Sequence, residues 1–373
     1  MSLPLIKQGP NAGLPRLDEQ ARSSSFYEFW PVWVLYIPVV FYWIWLALRY
    51  RGFGLPLAAN PNVFLAGMLG ESKIDLLASA GAKAQAHILP FVAFVVEPED
   101  PLNKVNARNA QVLLDQANLT YPLVAKPDEG CRGAGVQIVA SALDLEVYLS
   151  AFPVGERLML QRLSAYKAEA GVFYERMPNE SQGKVVSITL KYRATVMGDG
   201  KRTVEELVEA DGRACQLRAL YRERLGDTWH SVPSLNEEIP LVFAGSHCRG
   251  AIFKDGCKHI TQTLSDKIDT IMQDFPAFYY GRLDIKFDNL NDFIEGRDFD
   301  IIELNGASSE QTHIWDSQTP VLVVVKTLLQ QYKTLFMIGA DLRNKGVIVP
   351  SLFTLIKVWW RDMTSKTTYP NTH

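Results

Sequence analysis

Three oxygen-bearing side chains in the C-terminal part of the chain could together hold a metal ion. Asp284 lies in the stretch GRLDIKFD, and Glu303 and Asn305 lie in IIELNGASSE. We predict that the two stretches are neighbouring β-strands. Mg²⁺ prefers carboxylate and carbonyl oxygens and leaves its other positions to water and nucleotide phosphates. The pattern therefore indicates a magnesium site at the strand ends, and the alternative is that these acids occupy ordinary surface turns.

A glycine-bearing loop lies upstream, in PLVAKPDEGCRGAGVQIV (Pro122 to Val139), after a short apolar strand that ends at Lys126. Gly130, Gly133 and Gly135 allow the backbone to turn freely and to approach a ligand closely. Successive N–H groups in such a loop form an anion-binding concavity beside the Lys126 ammonium group. We predict that the loop lies over phosphates. The alternative is a plain hairpin, since the loop fits neither GxxxxGK[ST] nor GxGxxG before a helix.

The order of these features resembles the ATP-grasp superfamily. A lysine-and-glycine hairpin is followed by a long middle segment and by two acidic strands, in which GRLD and ELN are similar to the metal-binding strands of D-alanine:D-alanine ligase. The segment VMGDGKRTVEELV (Val196 to Val208) looks like one found in cyanophycin synthetase and related amino-acid ligases. The resemblance covers about residues 60 to 340. It implies an α/β (α+β) ATP-grasp fold that uses ATP and Mg²⁺ and joins a carboxylate to an amine.

The chain of 373 residues is long enough for a catalytic core of two or three lobes with an appendage. The stretch from Ala58 to Leu119 is short for the N-terminal α/β domain of the family, so we predict a trimmed version. Ser141 and Thr203 are each followed three residues later by an acid, which predicts a helix start at both places. The predicted organisation is a tail at 1–28, a membrane segment at 29–51, the trimmed domain at 58–119, the ATP-grasp domain at 120–340, and a C-terminal tail with an amphipathic helix at 341–373.

The resemblance also implies a set of nucleotide-binding residues. Lys104 would be the earlier of two phosphate-binding lysines, with a solvated helix lysine as the alternative. Backbone groups of residues 161–163 would bind the adenine edge, although Gln161 stands where the family has an acid, and Glu169 would bind the ribose hydroxyls. Lys191 and Arg193 share one face of a predicted strand and would face phosphates or substrate, or else solvent. The full set is Lys104, Lys126, Gly130, Gly133, Gly135, Gln161, Arg162, Leu163, Glu169 and Lys191.

The chemistry implied by the resemblance is attack of a carboxylate on the γ-phosphate of ATP, which gives ADP and an acyl phosphate that an amine converts to an amide. Mg²⁺ on Asp284, Glu303 and Asn305 would neutralise charge at the phosphates. Arg282 and Arg249 would be the catalytic cations, because a guanidinium can bind phosphate through two parallel hydrogen bonds. A kinase that phosphorylates a hydroxyl and a nucleotide-binding membrane module without turnover remain as alternatives.

Two further groups of residues are predicted to lie at the substrates. Glu71, in VFLAGMLGESK, resembles the family residue that holds the first substrate, and a helix-start acid is the alternative. Glu310, His313 and Asp316 follow the second acidic strand and would hold a cationic amine, or form an ordinary surface loop. His247 is predicted to be structural, because this chemistry does not require an imidazole.

A run of twenty uncharged residues, Phe29 to Leu48, is long enough to cross a bilayer, which takes about 20 apolar residues. Tryptophans lie near both ends of the run, as in the aromatic belts of membrane proteins: Trp30, Trp33, Trp43 and Trp45. Pro38 predicts a kink or a re-entrant hairpin, so spanning, monotopic and buried-core arrangements all remain open. Arg49 and Arg51 favour a catalytic domain on the cytoplasmic side of the inner membrane, and the anchor itself indicates a lipid-linked or membrane-adjacent substrate. A second interfacial helix, or a buried one, is predicted within 351–363.

Charge and cysteine content bear on the other classes of function. The net charge is −3, and no tract of clustered Lys and Arg is present, so binding to nucleic acid is not predicted. The cysteines form no CxxC pair and no His/Cys cluster with zinc spacing; they are Cys131, Cys215, Cys248 and Cys257. Such scattered cysteines indicate reduced thiols in a cytosolic compartment.

Overall fold

The computed structural model describes residues 9–17, 32–98, 104–130, 133–243, 245, 247–364 and 369–370. The helices are α1 (Val32–Arg49), α2 (Lys73–Ala78), α3 (Ala82–Gln85), α4 (Lys104–Gln116), α5 (Ala142–Ser150), α6 (Val204–Ala210), α7 (Arg218–Leu225), α8 (Gln262–Met272), α9 (Leu290–Ile294), α10 (Val321–Asn344) and α11 (Leu352–Thr364). The strands are β1 (Phe91–Val95), β2 (Leu123–Pro127), β3 (Gln137–Val139), β4 (Arg157–Arg162), β5 (Ala168–Glu175), β6 (Lys184–Tyr192), β7 (Thr195–Met197), β8 (Glu238–Pro240), β9 (Ile252–Asp255), β10 (Tyr280–Phe287) and β11 (Phe299–Asn305). Short 3-10 helices lie at Leu55–Ala58, Phe64–Gly67, Ala214–Leu217, Gly226–His230, His247–Arg249, Cys257–His259 and Thr312–Trp315.

The first of the two larger sheets has four antiparallel strands in the order β1-β4-β2-β3. Helices α4 and α5 pack on this sheet, with Leu114 and Leu149 in a core shared with Leu123 and Leu160. Because β1 and α4 precede residue 119, this lobe combines part of the predicted trimmed domain with part of the predicted ATP-grasp domain. The domain limits given by the sequence therefore do not coincide with this sheet.

The second sheet has five antiparallel strands in the order β11-β10-β5-β6-β9. Helix α8 packs on one face of it, where Leu283, Ile285 and Phe287 of β10 join Leu264 and Ile268 in the largest apolar core. Successive side chains of a strand point to opposite faces. The polar residues that alternate with these three therefore face away from the core, and they form the floor of the site described below.

A small third lobe consists of the two-stranded antiparallel sheet β7-β8, with α6 and α7 around the buried Trp229. Its helix α6 begins at Thr203, whose side chain accepts a hydrogen bond from the Glu206 N–H while the Glu206 carboxylate accepts one from the Thr203 N–H. Ser141 accepts a hydrogen bond from the Asp144 N–H at 3.2 Å at the start of α5. Both helix starts predicted from the sequence are confirmed.

The long helix α10 lies in the body of the protein, where Leu335 and Ile338 contact a core that contains Phe173 and Tyr280. Gly339 allows a close approach to the turn at Leu55–Ala58, because a side chain there would collide with the Leu55 carbonyl group. Within the described residues, α10 is the one helix long and apolar enough to cross a membrane, and 39% of its most apolar window is buried. A core helix satisfies the same criterion, so this finding is weak evidence for a span.

The uncharged N-terminal run forms helix α1, apart from residues 29–31, which lie outside the described residues. The helix continues through Pro38. One face is buried: Leu35 and Val39 pack in one apolar cluster, and Leu46 and Ala47 pack in another beside α10. Within the described residues, the apolar part of the helix covers Trp33–Arg49. In the structure one face of this helix packs on the protein, and its role as a membrane anchor stays a prediction.

Candidate active site

A cleft of about 1480 Å³ lies between the two larger sheets. The four-stranded sheet contributes Lys126 and the glycine loop, the five-stranded sheet contributes Asp284 and Glu303, and α1 contributes Trp33. Typical small-molecule pockets have volumes of roughly 300 to 1,000 Å³. The cleft is therefore large enough for a nucleotide and a second ligand together.

The floor of the cleft is set by the register of four antiparallel strands. Asp284 pairs with Glu303 and Arg282 pairs with Asn305, so the two sequence stretches predicted to be neighbouring strands are confirmed as such. On the other side of β10, Asp284 pairs with Gly171. Because the side-chain period is two, one face carries Arg282, Asp284 and Lys286 of β10, Glu303 and Asn305 of β11, Glu169 of β5 and Lys191 of β6.

Asp284 is held by two cations. Its Oδ1 lies 2.9 Å from Arg282 Nε and 2.8 Å from Lys191 Nζ. Burial alone would raise the pKa of Asp284, but the charges of Arg282 and Lys191 outweigh burial and lower it. Gly171 makes room for this group, because a Cβ atom there would lie 3.2 Å from Arg282 Cδ and 3.4 Å from Lys191 Cε.

Glu169, predicted to bind the ribose, has both carboxylate oxygens engaged by lysines. Lys191 Nζ lies 3.1 Å from Oε1, and Lys286 Nζ lies 2.6 Å from Oε2. Burial alone would raise the pKa of Glu169, but Lys286 and Lys191 outweigh it and lower the pKa to about 2. Gly245 packs directly against this carboxylate, since a side chain at that position would collide with it. Glu169 thus neutralises two buried ammonium groups, and a ribose contact is not needed to explain its position.

Lys126 connects the two sheets. Its ammonium group donates to Gln161 Oε1 on β4 and to the Ile302 carbonyl oxygen on β11, both at 2.9 Å. Burial lowers the pKa of Lys126 to about 8. The Gln161 side chain, which stands where the family pattern has an acid, therefore positions this lysine, while its Nε2 donates to the Leu89 carbonyl oxygen at 3.2 Å. The neighbouring Arg162 and Leu163 also line the cleft.

The glycine loop reaches the cleft through Gly130 and Gly133. Gly135 packs instead against Pro127 and Tyr369, with a φ of +70° and no space for a Cβ atom, and it is not among the lining residues. The sequence analysis missed Lys73, whose ammonium group donates to the Gly130 carbonyl oxygen at 2.7 Å and lies 3.9 Å from Glu303. Its proximity to Glu71 in the sequence was the available signal. Residues 131 and 132 of the loop lie outside the described residues.

The residues predicted to bind magnesium are two carboxylates and one amide. Nδ2 of Asn305 is buried and has no hydrogen-bond partner, which leaves its N–H donors available to a ligand oxygen such as that of a phosphate, whereas a metal ion would be bound by Oδ1. Glu303 is partly exposed to the cleft. Across the described part of the chain, no three His, Cys, Asp or Glu side chains are grouped closely enough to hold a metal. The set Asp284, Glu303 and Asn305 nevertheless has the oxygen chemistry that suits Mg²⁺ with phosphates as its remaining ligands.

Two of the predicted cations are not brought to the cleft. Lys104 is exposed at the start of α4, and Arg249 is partly buried in the 3-10 helix at His247–Arg249; neither lines the cleft. His247 does line it, and its ring stacks on Trp315 with the centroids 5.1 Å apart. The cations that line the cleft near Asp284 and Glu303 include Lys73, Lys191, Arg193, Arg282 and Lys286.

The predicted acceptor residues separate into one that faces the cleft and two that do not. Glu310 lines the cleft and accepts hydrogen bonds from Tyr36 of α1 and, at 2.9 Å, from Trp315 Nε1. His313 is buried against Ser187, with its Nδ1 2.8 Å from the hydroxyl group, and Asp316 forms an ion pair with Lys254. Tyr36 was not foreseen, because nothing local links α1 to this loop.

Glu71 lies beside the end of β11, in the segment between the 3-10 helix at Phe64–Gly67 and α2. Its carboxylate accepts a hydrogen bond from the Gly306 N–H at 2.8 Å, and burial raises its pKa to about 8. The preceding loop contains three consecutive left-handed residues, Leu65 (φ 46°), Ala66 (φ 58°) and Gly67 (φ 78°). Non-glycine residues in this region cost of order 1–3 kcal/mol each and cluster at functional sites.

Asn60 fixes this strained loop to the five-stranded sheet. Its Nδ2 donates to the carbonyl oxygens of Ala66 and Tyr280 at 3.1 and 2.8 Å, and its Oδ1 accepts from the N–H groups of Tyr279 and Tyr280. All four hydrogen-bonding positions of the amide are used. The wall that carries Glu71 is thus bonded to the start of β10, the strand that carries Asp284.

These features define a mixed α/β protein with a charged cleft between two antiparallel sheets, suited to a ligand with several negative charges. No model of a protein family matches the chain, and no curated protein matches it. Among solved structures it is similar to a bifunctional glutathione synthetase from Pasteurella multocida, with 19% identity over 67% of this chain and 35% of that chain and a TM-score of 0.34.

Two further structures show similarity of the same order. The VanG D-Ala:D-Ser ligase from Enterococcus faecalis is 13% identical over 72% of this chain and 62% of that chain, with a TM-score of 0.38. The D-alanine-D-alanine ligase from Coxiella burnetii is 11% identical over 81% of this chain and 64% of that chain, with a TM-score of 0.36. The chain thus spans about a third of the synthetase and less than two thirds of each of these ligases.

Proposed function

We propose that the protein is an ATP-grasp carboxylate–amine ligase that forms ADP and an acyl phosphate. The observation that carries the proposal is the pairing of Asp284 with Glu303 and of Arg282 with Asn305, on a face that meets Lys126 across the cleft. Carboxylate and amide oxygens lie on one side and an ammonium group lies on the other, as binding of a magnesium–nucleotide complex requires.

Each group in the cleft has a physical task in this proposal. Lys126 and the N–H groups of the glycine loop bind phosphate oxygens, and the Gln161 amide keeps the lysine in place. Mg²⁺, held by Asp284, Glu303 and Asn305, would supply neutralisation of phosphate charge. Loss of one such preorganised contact typically costs about 3 to 4 kcal/mol of transition-state stabilisation.

In the reaction, a substrate carboxylate oxygen bonds to the γ-phosphorus of ATP as the bond to the β-phosphate oxygen breaks, which releases ADP. The amine then attacks the acyl carbon, a proton leaves the nitrogen, and inorganic phosphate departs. Arg282 lies at the metal strands, where its guanidinium would stabilise the phosphate and the oxyanion of the second step. Glu310 lies at the far end of the cleft, where a carboxylate would bind the ammonium form of the acceptor.

We further propose that the protein works at the cytoplasmic face of the inner membrane on a membrane-associated substrate. The uncharged α1, followed by Arg49 and Arg51, supports this placement. The cytoplasm also supplies the ATP. Phosphate binding by Lys104 and catalysis by Arg249 remain predictions from the sequence, which the position of both residues outside the cleft lining does not favour.

The test is release of ADP and free phosphate by the purified full-length protein with Mg-ATP and a cell extract. Glu303→Gln removes a metal ligand, and Glu180→Gln, an exposed residue away from the cleft, is the control. Extract-dependent release of both products, lost only in Glu303→Gln, supports a ligase. ADP release with phosphate retained in the product identifies a kinase instead, and nucleotide binding without release identifies a binding module.

A further inference from the structure

Two helices far apart in the sequence end at the same cleft. The first turns of α1 place Trp33 and Tyr36 in the cleft lining. The last turn of α11 places Arg361 there, and Tyr369 beyond it donates a hydrogen bond to the Glu129 carbonyl oxygen at the glycine loop, at 3.1 Å. Helix α1 therefore borders the end of the cleft that contains Glu310, and α11 borders the glycine loop.

The opposite ends of the two helices lie together. Pro350, just before α11, contacts Gly54, just after α1, so closely that a side chain at Gly54 would collide with the Pro350 carbonyl group. Val349 packs in the same apolar cluster as Leu46 and Ala47. At 1.5 Å per residue, α1 is about 27 Å long and α11 about 20 Å long. The helices form two sides of an angle that opens at the cleft, and we name this pair the helix frame.

Both members of the helix frame expose an apolar face. In α1, the face opposite the buried one is exposed at helical spacing, as Trp33, Ile37, Val40, Phe41, Ile44, Trp45 and Leu48. In α11, the exposed apolar residues are Phe353, Ile356, Trp359, Trp360 and Met363. Contiguous exposed apolar surface on a soluble protein marks a site for another molecule or for a membrane.

Charge distinguishes between these occupants. Exposed cations lie beside the apolar faces of the helix frame. Arg49 and Arg51 are at the end of α1, where the two helices meet, and Lys357 and Arg361 lie in α11. The sequence of α1 contains no acid, and that of α11 contains one, Asp362. Aromatic and aliphatic side chains flanked by Lys and Arg are typical of helices that lie in the interface of a bilayer with anionic lipids. A helix with one face packed on the protein is suited to lie flat rather than to span.

We propose that the helix frame docks flat on an anionic bilayer surface and that the cleft opens there, so that an amphiphile with an amine head group enters from the membrane plane. The substrate clause rests on the proposed ligase function, and the docking clause deepens the proposed membrane placement without depending on the ligase reaction. Tyr36 connects the two, because it belongs to the docking helix and its hydroxyl donates to Glu310 in the cleft. A carboxylate accepts about four hydrogen bonds, and Tyr36 and Trp315 supply two, which leaves Glu310 with capacity for an ammonium group.

The docking clause is tested by flotation of the full chain with vesicles of phosphatidylcholine and phosphatidylglycerol, and with vesicles of phosphatidylcholine alone. The double variant Phe41→Glu and Trp45→Glu changes two residues that are 70% and 53% exposed, one helical turn apart. The control, Leu143→Glu and Val147→Glu, changes two residues of α5 that are 68% and 61% exposed at the same spacing. Circular dichroism establishes that all proteins are folded.

We expect the wild type and the control to float with the anionic vesicles. Partitioning of the α1 variant should fall by roughly tenfold or more, because a charge replaces each aromatic side chain that would enter the bilayer. Unchanged flotation of the α1 variant, or no flotation of the wild type, would overturn the docking clause. A change from dimer to monomer in the α1 variant, measured by light scattering, would show that the face binds a second copy instead.

The substrate clause is tested by ADP release with two extracts, the lipid fraction incorporated into the anionic vesicles and the water-soluble fraction. Release that depends on the lipid fraction, and that the α1 variant loses while the control keeps it, is the expected result. Equal release by the α1 variant, or release with the water-soluble fraction alone, would overturn the clause and leave the ligase proposal intact. Release with neither fraction would count against the proposed function, while flotation would still decide the docking clause.

Discussion

Replacing Glu169 with Gln should lower the free energy of unfolding by about 3 kcal/mol at neutral pH. Burial alone would raise the pKa of this carboxylate, but Lys286 and Lys191 lower it from 4.5 to about 2. At roughly 1.4 kcal/mol for each pH unit between the two values, the difference corresponds to about 3 kcal/mol of stability. Removal of one partner from a buried ion pair typically costs a similar 3–5 kcal/mol, because the other charge stays buried.

The pH dependence has a definite sign. The folded-state pKa of Glu169 is below the unfolded value, so the carboxylate stabilises the fold above pH 4.5, and this contribution is lost as the pH falls toward 2. Urea denaturation curves of the wild type and Glu169→Gln should therefore converge as the pH is lowered through this window. The control is Glu295→Gln, which removes an exposed partner of Arg297 and should change stability by less than about 0.5 kcal/mol.

The same variant separates two roles for Glu169. If the residue mainly neutralises Lys191 and Lys286, stability falls as stated, and ATP affinity changes only through the altered charge of the floor. If it binds the ribose, as the family resemblance implies, ATP affinity falls while the urea midpoint stays at the wild-type value. The second outcome would refute the assignment made from the ion pairs.

Three further changes test other parts of the site. Gly171→Ala should destabilise the protein by about 1–3 kcal/mol and raise the KM for ATP, because the new Cβ atom would lie 3.2 Å from Arg282 Cδ; an unchanged Tm and KM would contradict this. Asn305→Leu should stabilise the ligand-free protein by about 1–3 kcal/mol, since it removes a buried amide nitrogen that has no hydrogen-bond partner, and should weaken Mg²⁺-dependent ATP binding in calorimetry. Burial raises the pKa of Glu175 to about 7, so the folded state keeps this proton longer than the unfolded state, and the wild type should lose stability as the pH rises from about 4.5 to about 7. Glu175→Gln should remove this loss. Thermal melts would show a smaller decrease in Tm across this pH range for the variant, and equal decreases for the two proteins would contradict the prediction.

The predictions that succeeded rest on local sequence. Asp284 and Glu303 could be placed on neighbouring strands because each stretch has the composition of a strand and the two are close in the chain. The helix starts at Ser141 and Thr203 depend only on the three residues that follow. Period-two alternation then puts Arg282 on the face of Asp284 without further information.

The predictions that the structure altered depend on lateral packing. Glu169 meets Lys191 and Lys286 because β5 lies between β6 and β10, and no spacing within the chain gives that order. Lys104 is exposed and does not line the cleft, because α4 packs with α5 on the four-stranded sheet, and the sequence of α4 does not determine that packing. The composition of α1 indicates a bilayer, whereas its packing against α10 depends on contacts between residues nearly 300 positions apart in the chain, such as that between Trp43 and Phe336.

The four hydrogen bonds of Asn60 have a consequence for motion. They bind the strained loop at 65–67 to the start of β10, so this irregular segment should exchange its amide hydrogens as slowly as the strands around it. The residues just after Glu71 are bonded to the four-stranded sheet as well, because the Ser72 hydroxyl and the Ile74 N–H donate to Asp128 at the end of β2. The wall that carries Glu71 should therefore act as a rigid connection between the two sheets.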